Sequence, residues 1–263
     1  MEKLRVAIPL ILCGHPRSGT TMMTRLFNTH PELCVTFEFG SFRGLDTSAT
    51  PHLEALRTDW HRRRIVGNGH GRWARRLASG VFLQRYRRAI RALPDATIRA
   101  STVAAVLADL FPHAKVVGDK FPDYVFDLDR LSAIEGVRIV VLYRDCRDVA
   151  RSAMRMARTA WKHGPLANAL DTPEKAAARW VRSIEVMERN QQRVLAIGYE
   201  DFVRDPAAVM ERVGEWLVVD PSLFDLKSVH GASVGRHRKS LASGEIDRIL
   251  QIAGPTMERL GYA

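Results

Sequence analysis

Cysteine, acid and long apolar runs are all scarce in this chain, and each scarcity excludes something. The three cysteines, Cys13, Cys34 and Cys146, are odd in number and have no metal-ligand spacing. A disulfide framework is therefore not expected, and a reducing cytoplasm fits the chain. Two of them fall in or beside apparent strands, where a small buried apolar residue explains them. No apolar run approaches the ~18 residues of a membrane helix, so no transmembrane segment is expected. Lys3 and Arg5 ahead of an apolar run give the N-terminus the look of a secretory signal. That run is only about eight residues long, contains Pro9 and feeds straight into a glycine turn, so it reads as a strand. Internal repeats and low-complexity linkers are missing as well.

Acid is short by a wide margin: 29 aspartates and glutamates stand against 40 lysines and arginines, a net charge of +11. Such a surplus implies anionic partners, and nucleic acid, acidic membrane, a nucleotide or an acidic acceptor would each qualify. Apolar residues make up 46 % of the 263 positions, enough for a sizeable core and too many for a disordered chain. That length suits one α/β domain or two small ones.

What is present is concentrated between Val6 and Leu26. Val6 to Cys13 reads as a buried parallel strand. Gly14-His15-Pro16-Arg17-Ser18-Gly19-Thr20-Thr21 follows, and then a helical pattern with Met22, Met23, Leu26 and Phe27 on its apolar face. A strand, a glycine-bounded turn and a helix start point backbone N–H groups at a phosphate. Gly14 and Gly19 have the spacing of a Walker A loop, G-x-x-x-x-G-K-S/T. Thr20 stands at the lysine position, however, and the cation is Arg17, inside the loop. Without a lysine for the β- and γ-phosphates, an ordinary ATPase or kinase is disfavoured.

Further along, His30-Pro31 stops the first helix, and Leu33 to Phe37 reads as a second strand with Glu38 at its carboxyl end. Ligand crevices of open α/β sheets lie at that end, so Glu38 is either a general base or a surface carboxylate. Eleven arginines crowd 57–91, in clusters at Arg62-Arg63-Arg64, Arg72 with Arg75-Arg76, and Arg85 with Arg87-Arg88. Leu77, Val81, Phe82, Leu83, Tyr86 and Ile90 fit a helical face there, preceded by a break at 67–71. The arginines make either a solvated face or a platform for an anionic acceptor or membrane. Sparse aromatic interleaving disfavours a single-strand nucleic-acid groove.

Pro94 breaks that pattern, and Ser101 to Leu110 reads as another helix. Ala114 to Val117 reads as a third strand, with Lys120 just past its end. Val137 to Tyr143 is the most strand-like segment. It runs into Arg144, with Ser152 eight residues on and about two turns into a helix. That arginine and hydroxyl could close on one phosphate; the R-D-x-R-D run also reads as a helix start with local ion pairs. Thr172-Pro173 and Asp205-Pro206 open further helices, with Trp180 and Ile184 as core. Arg193 to Ile197 reads as a last strand, ending at Tyr199. Ser233 to Ser240 gathers polar donors around Gly235, and a terminal helix runs from Ser243 to Met257.

P-R-S-G-T-T after a first strand, followed by H-P, resembles the 5′-phosphosulfate loop of sulfotransferases, which use 3′-phosphoadenosine-5′-phosphosulfate (PAPS). The resemblance covers nearly the whole chain, weakest at about 47–93, a variable helical segment within a domain of 1–263. It implies a P-loop NTPase-like α/β domain with a central parallel sheet of four to five strands and helices on both faces. Tyrosylprotein sulfotransferases and bacterial relatives carry an acid eight residues after the His of H-P, which Glu38 matches, serving as base for the acceptor hydroxyl. The family's K-x-P lysine, here Lys120, stabilises the transferring group and its bridging oxygen.

The family's 3′-phosphate site, an Arg and a Ser eight apart, corresponds to Arg144 and Ser152. Tyr199 falls on the tyrosine of Y-E-x-F/L, which contacts the nucleotide. Ser233, Arg236 and Arg238 fall in or beside a S-x-G-K/R-W stretch that folds over it, with His237 in place of the tryptophan. The resemblance thus implies in-line sulfuryl transfer from PAPS to a hydroxyl, or an amine, of a small-molecule, glycan, lipid or peptide acceptor. Arg17, counted with Glu38 and Lys120 as catalytic, would hold the 5′-phosphosulfate together with Ser18, Gly19, Thr20 and Thr21, without a metal. Nucleic acid is not an expected partner, and oligomeric state and acceptor are not readable. A P-loop kinase or NTPase and a basic nucleic-acid or membrane-surface protein are the competing readings.

Overall fold

The strand formed by the first apolar run, β1 (Ile8–Gly14), lies in the middle of the sheet. This computed structural model describes residues 7–56, 79–93, 97–164 and 166–262. In it, β2 (Leu33–Phe37), β3 (Val116–Lys120), β4 (Arg138–Tyr143) and β5 (Leu195–Gly198) all run parallel with β1 in the order β2-β3-β1-β4-β5. From β1 the chain passes to the edge strand β2, returns to β3 beside β1, and then crosses to β4 and β5 on the other side. The loops leaving β1, β3 and β4 therefore open at one crevice, the usual ligand position of such sheets.

Ten helices connect or cover the strands: α1 (Thr20–Phe27), α2 (Ala49–Glu54), α3 (Ser79–Arg91), α4 (Ala100–Leu110), α5 (Leu128–Leu131), α6 (Cys146–Arg158), α7 (Pro173–Arg189), α8 (Tyr199–Arg204), α9 (Pro206–Leu217) and α10 (Ser243–Arg259), among the described residues. Alternation along the strands divides the core in two. Leu10 and Leu12 of β1, with Val140 and Leu142 of β4, pack on Met23, Leu26 and Phe27 of α1 and on α8 and α9. Ile11 and Cys13, with Ile139 and Val141, face the larger cluster built by α3, α4, α6, α7 and α10. Helices on both faces of a parallel sheet are the arrangement expected above.

The caps read from the sequence are made. The Asp145 carboxylate accepts from Arg147 N, Thr172 Oγ1 from Lys175 N, and Asp205 from Ala208 N, with Pro173 and Pro206 in the first turns behind the last two. All three cysteines are buried and free, and burial pushes their thiols up. No helix among the described residues is long and apolar enough to cross a membrane.

One strand differs from expectation. β3 starts two residues later than Ala114 and continues through Gly118, Asp119 and Lys120, beyond the strand end read at Val117. Gly118 serves a close approach: a Cβ there would lie 2.1 Å from the Leu10 carbonyl oxygen of β1. Helix α3 buries Phe82, Leu83, Tyr86 and Ile90, as its periodicity indicated, but leaves Val81, expected on the same face, exposed together with Arg85, Arg88 and Arg91. The glycine-rich break, Leu77, Pro94 and the arginines from Arg57 to Arg76 lie outside the described residues.

Candidate active site

The glycine turn between β1 and α1 carries two left-handed residues, Arg17 (φ 81°) and Gly19 (φ 97°). Gly19 admits no side chain, because a Cβ would meet the Tyr199 ring at 2.4 Å. Ser18 is fully buried, and its Oγ has no hydrogen-bond partner among the described residues. The opening amides of a helix have no acceptor within it, and here Met22 N and Met23 N already donate to the Gly19 carbonyl, which leaves Thr20 and Thr21 as the opening amides of α1. His15 is buried behind the turn, donates through Nδ1 to Pro16 O at 2.8 Å, and is pushed down to about 3 by burial. It is neutral at ordinary pH.

Arg17 reaches across the crevice and donates through Nε to Ser152 Oγ of α6 at 2.9 Å. Arg144, at the exit of β4, donates through Nη1 to the Arg17 carbonyl oxygen at 3.4 Å. The two motifs far apart in sequence thus meet at Arg17. Burial, then the neighbouring charges of Arg155 and Arg144, hold Arg17 below its ordinary value. Arg17 and Arg144 lie side by side in the crevice with the exposed Arg155 nearby, a cationic setting that favours an anion.

Arg144 itself is not a free clasp. Its Nη2 donates to Asp148 Oδ2 at 3.0 Å and to the Ser233 carbonyl oxygen. The guanidinium lies over the Tyr199 ring, 4.4 Å from the centroid. Its Nε has no hydrogen-bond partner among the described residues and stands 4.0 Å from Glu200 Oε1. The Trp180 indole of α7 fixes the Arg144 carbonyl at 2.9 Å. Glu200 accepts from Asp145 N at 3.3 Å and from Tyr262 OH at 2.7 Å, so the last turn of the chain also supports this corner.

Asp148 fastens the 233–240 loop. Its carboxylate accepts from Gly235 N at 2.7 Å, His237 N at 2.8 Å and His237 Nδ1 at 3.1 Å. His237, standing where the resembling pattern has tryptophan, is buried and turned towards Asp148 rather than into the crevice. Arg236 and Arg238 are exposed, and Arg236 Nε bonds Ala232 O at 2.7 Å.

At the ends of β2 and β3 stands a second pair. Lys120 is the last residue of β3, fully buried rather than past the strand end, and pairs with Phe37 in register. Its Nζ donates to Glu38 Oε1 at 2.7 Å and sits 3.4 Å from the Phe37 ring centroid. Burial lowers the lysine while the adjacent Glu38 carboxylate opposes that shift. Removing an ammonium from water costs several kcal/mol; the carboxylate and the ring face offset it. Glu38 has φ 52°, and its N–H donates to Lys120 O at 2.7 Å.

The structure brings Arg17, Ser18, Gly19, Arg144, Ser152, Tyr199 and the Ser233 carbonyl together, and places Glu38 against Lys120. Thr20 is buried and Thr21 half-buried in the first turn of α1. Sequence reasoning passed over Asp119, whose buried carboxylate accepts from Thr36 Oγ1, Phe39 N, Gly40 N and Tyr124 OH at 2.7 to 3.0 Å. Burial pushes that carboxyl up, against the pull of the four donors. No sequence signal marked it, since the strand read as ending at Val117, two residues earlier.

The profile described as "Sulfotransferase family" matches residues 9–222. Among solved structures, the sulfotransferase domain from the curacin biosynthetic pathway superposes with a TM-score of 0.60 at 19 % identity, covering 98 % of this chain and 99 % of that one. The sulfotransferase domain from the Synechococcus PCC 7002 olefin synthase gives 0.57 at 21 %, covering 96 % of each. Sulfotransferase STF9 from Mycobacterium avium gives 0.52 at 16 %, covering 97 % of this chain and 77 % of that one. No curated protein sequence matches significantly. With most of its length matched by the profile and its fold shared with these enzymes, the chain belongs to the sulfotransferase family and is a sulfuryl-transferring enzyme.

Proposed function

We propose that the enzyme transfers a sulfuryl group in line from PAPS to an acceptor hydroxyl, with Glu38 as general base. The observation that carries this reading is the bond from Arg17 to Ser152, which joins the glycine turn to the Arg144 corner in one crevice. The donor set fits such a nucleotide. The turn offers the unpartnered Ser18 hydroxyl and the opening amides of α1 to the 5′-phosphosulfate. Arg17 adds its cation there, Ser152, Arg144, Arg236 and Arg238 supply hydroxyl and cationic groups for the 3′-phosphate, and Tyr199 presents its ring at the turn.

The chemistry follows from charge. Lys120 Nζ and Glu38 Oε1 stand as an ion pair at 2.7 Å, and the carboxylate favours the charged form of the buried lysine. Glu38 takes the proton of the acceptor hydroxyl as its oxygen forms the new bond to sulfur. The bond from sulfur to the bridging oxygen breaks, and its electrons stay on the departing 5′-phosphate. Lys120 donates to that oxygen as charge develops. A sulfuryl group carries less negative charge than a γ-phosphoryl, which accounts for a loop that works with Thr20 in place of the Walker lysine.

The test is incubation with PAPS labelled at sulfur and a panel of hydroxyl acceptors: phenols, sugars, lipids and peptides. Label should move to an acceptor at a rate proportional to enzyme. ATP turnover in place of sulfuryl transfer would overturn the proposal.

A further inference from the structure

The Asp119 carboxylate has no part in the chemistry described above, yet its partners bracket the candidate base. Thr36 lies two residues before Glu38, and Phe39 and Gly40 are the two residues after it. All three donate to Asp119, at 2.8, 3.0 and 2.7 Å. The fourth donor, Tyr124 OH at 2.9 Å, itself accepts from Phe42 N at 3.0 Å. Lys120, the next residue of β3, holds Glu38 by its carbonyl and its ammonium. Two consecutive residues of one strand, pointing to opposite faces of the sheet, therefore grip the turn from 36 to 42.

That turn needs a grip. Glu38 has φ 52° and Gly40 φ 84°, and a non-glycine residue in the left-handed region persists only where its surroundings impose it. Packing alone could shape such a turn. A fully buried carboxylate is a costly way to do so, and this one spends two of its bonds on the amides that follow Glu38. We propose that Asp119 is a positioning residue of the sulfuryl-transfer site: by accepting from the Phe39 and Gly40 amides it holds the Glu38 carboxylate over Lys120. This rests on the reading of Glu38 as the base.

A double-mutant cycle tests it, using labelled PAPS with the best acceptor of the panel and, as a second channel, release of labelled sulfate to water. Misplacing a catalytic group by about 1 Å can cost on the order of 10²-fold, and Asp119→Asn should lower kcat by that order. In the Glu38→Gln background the same change should cost no more than about threefold, since coupled residues are non-additive. Binding of 3′-phosphoadenosine 5′-phosphate should be kept in both. Amide exchange should quicken at Phe39 and Gly40 of Asp119→Asn, with the Leu12 amide unchanged.

Equal losses of kcat in the two backgrounds, or a loss of nucleotide affinity matching the loss of kcat, would overturn the proposal. Should Asp119→Asn fail to fold, Tyr124→Phe removes one donor and enters the same cycle, with a smaller coupled loss expected. Undiminished turnover by Glu38→Gln alone would bring down the base assignment instead, a result distinct from additivity.

Discussion

The ring of Tyr199 lies between Arg144 and Gly19: the guanidinium stacks 4.4 Å from its centroid, and the glycine leaves it the space that a Cβ would take. One aromatic side chain from the exit of β5 thereby ties the turn after β1 to the turn after β4. The crevice is one packed unit, and changes at any of these residues should be felt at the others.

Gly19→Ala tests that packing. A left-handed non-glycine residue costs about 1–3 kcal/mol, and the contact with the ring adds to it. The variant should unfold at clearly lower urea concentration than wild type. In a Tyr199→Ala background the penalty of Gly19→Ala should shrink to the backbone share. An unchanged penalty would show that the ring is not what excludes the side chain.

The proposed roles of Glu38 and Lys120 predict a division between turnover and binding. Lys120→Ala and Glu38→Gln should each lower kcat by on the order of 10²-fold or more, while affinity for 3′-phosphoadenosine 5′-phosphate stays near wild type. Near-normal turnover by either variant would remove that residue's role. Burial holds Lys120 below the ordinary lysine value of 10.5. The alkaline loss of kcat should therefore begin beneath that pH, as the ammonium gives up its proton.

Arg144→Ala should act on binding. Charge-assisted hydrogen bonds contribute about 1.5–3 kcal/mol, so nucleotide affinity should fall by about tenfold to a hundredfold. An unchanged dissociation constant by calorimetry would take Arg144 out of the donor site. It would then be left as the strut between Asp148, Ser233 and the Arg17 turn that its bonds already describe.

His15 predicts a pH dependence of stability. Its folded value is about 3 against 6.5 when exposed, so the unfolded chain binds the extra proton between those values. Stability should fall as pH drops through that window, by up to about 1.4 kcal/mol per pH unit for one proton. His15→Asn keeps a donor for the Pro16 carbonyl and removes the titration. Its urea midpoint should depend less steeply on pH than that of wild type; an identical slope would refute the assignment.

Much of this was legible in the chain because local chemistry and global fold agree. Val137 to Tyr143 is β-branched and becomes β4; Thr172-Pro173 and Asp205-Pro206 open helices where their side chains can cap. The limits of β3 were not legible. Gly118 and Asp119 look like turn residues, and only the neighbouring β1 backbone makes glycine a requirement inside the strand. The same gap hid Asp119, since its four donors come from three elements of the chain. Arg144 was recognisable as a cation at a strand end, but not that Asp148, one helical turn away, would occupy it. His237 sits in the loop identified for it, yet its ring turns inward because Asp148 offers a buried acceptor.

The central claim is that the crevice shared by Arg17, Ser152 and Arg144 is shaped for a nucleotide with phosphate on its ribose. Titration calorimetry of the purified protein with 3′-phosphoadenosine 5′-phosphate, and separately with ATP and magnesium, measures this directly. The account predicts that the bisphosphate binds at least about a hundredfold more tightly, a difference of about 2.8 kcal/mol, and needs no divalent ion. ATP binding as tightly as the bisphosphate, or more tightly, would contradict it.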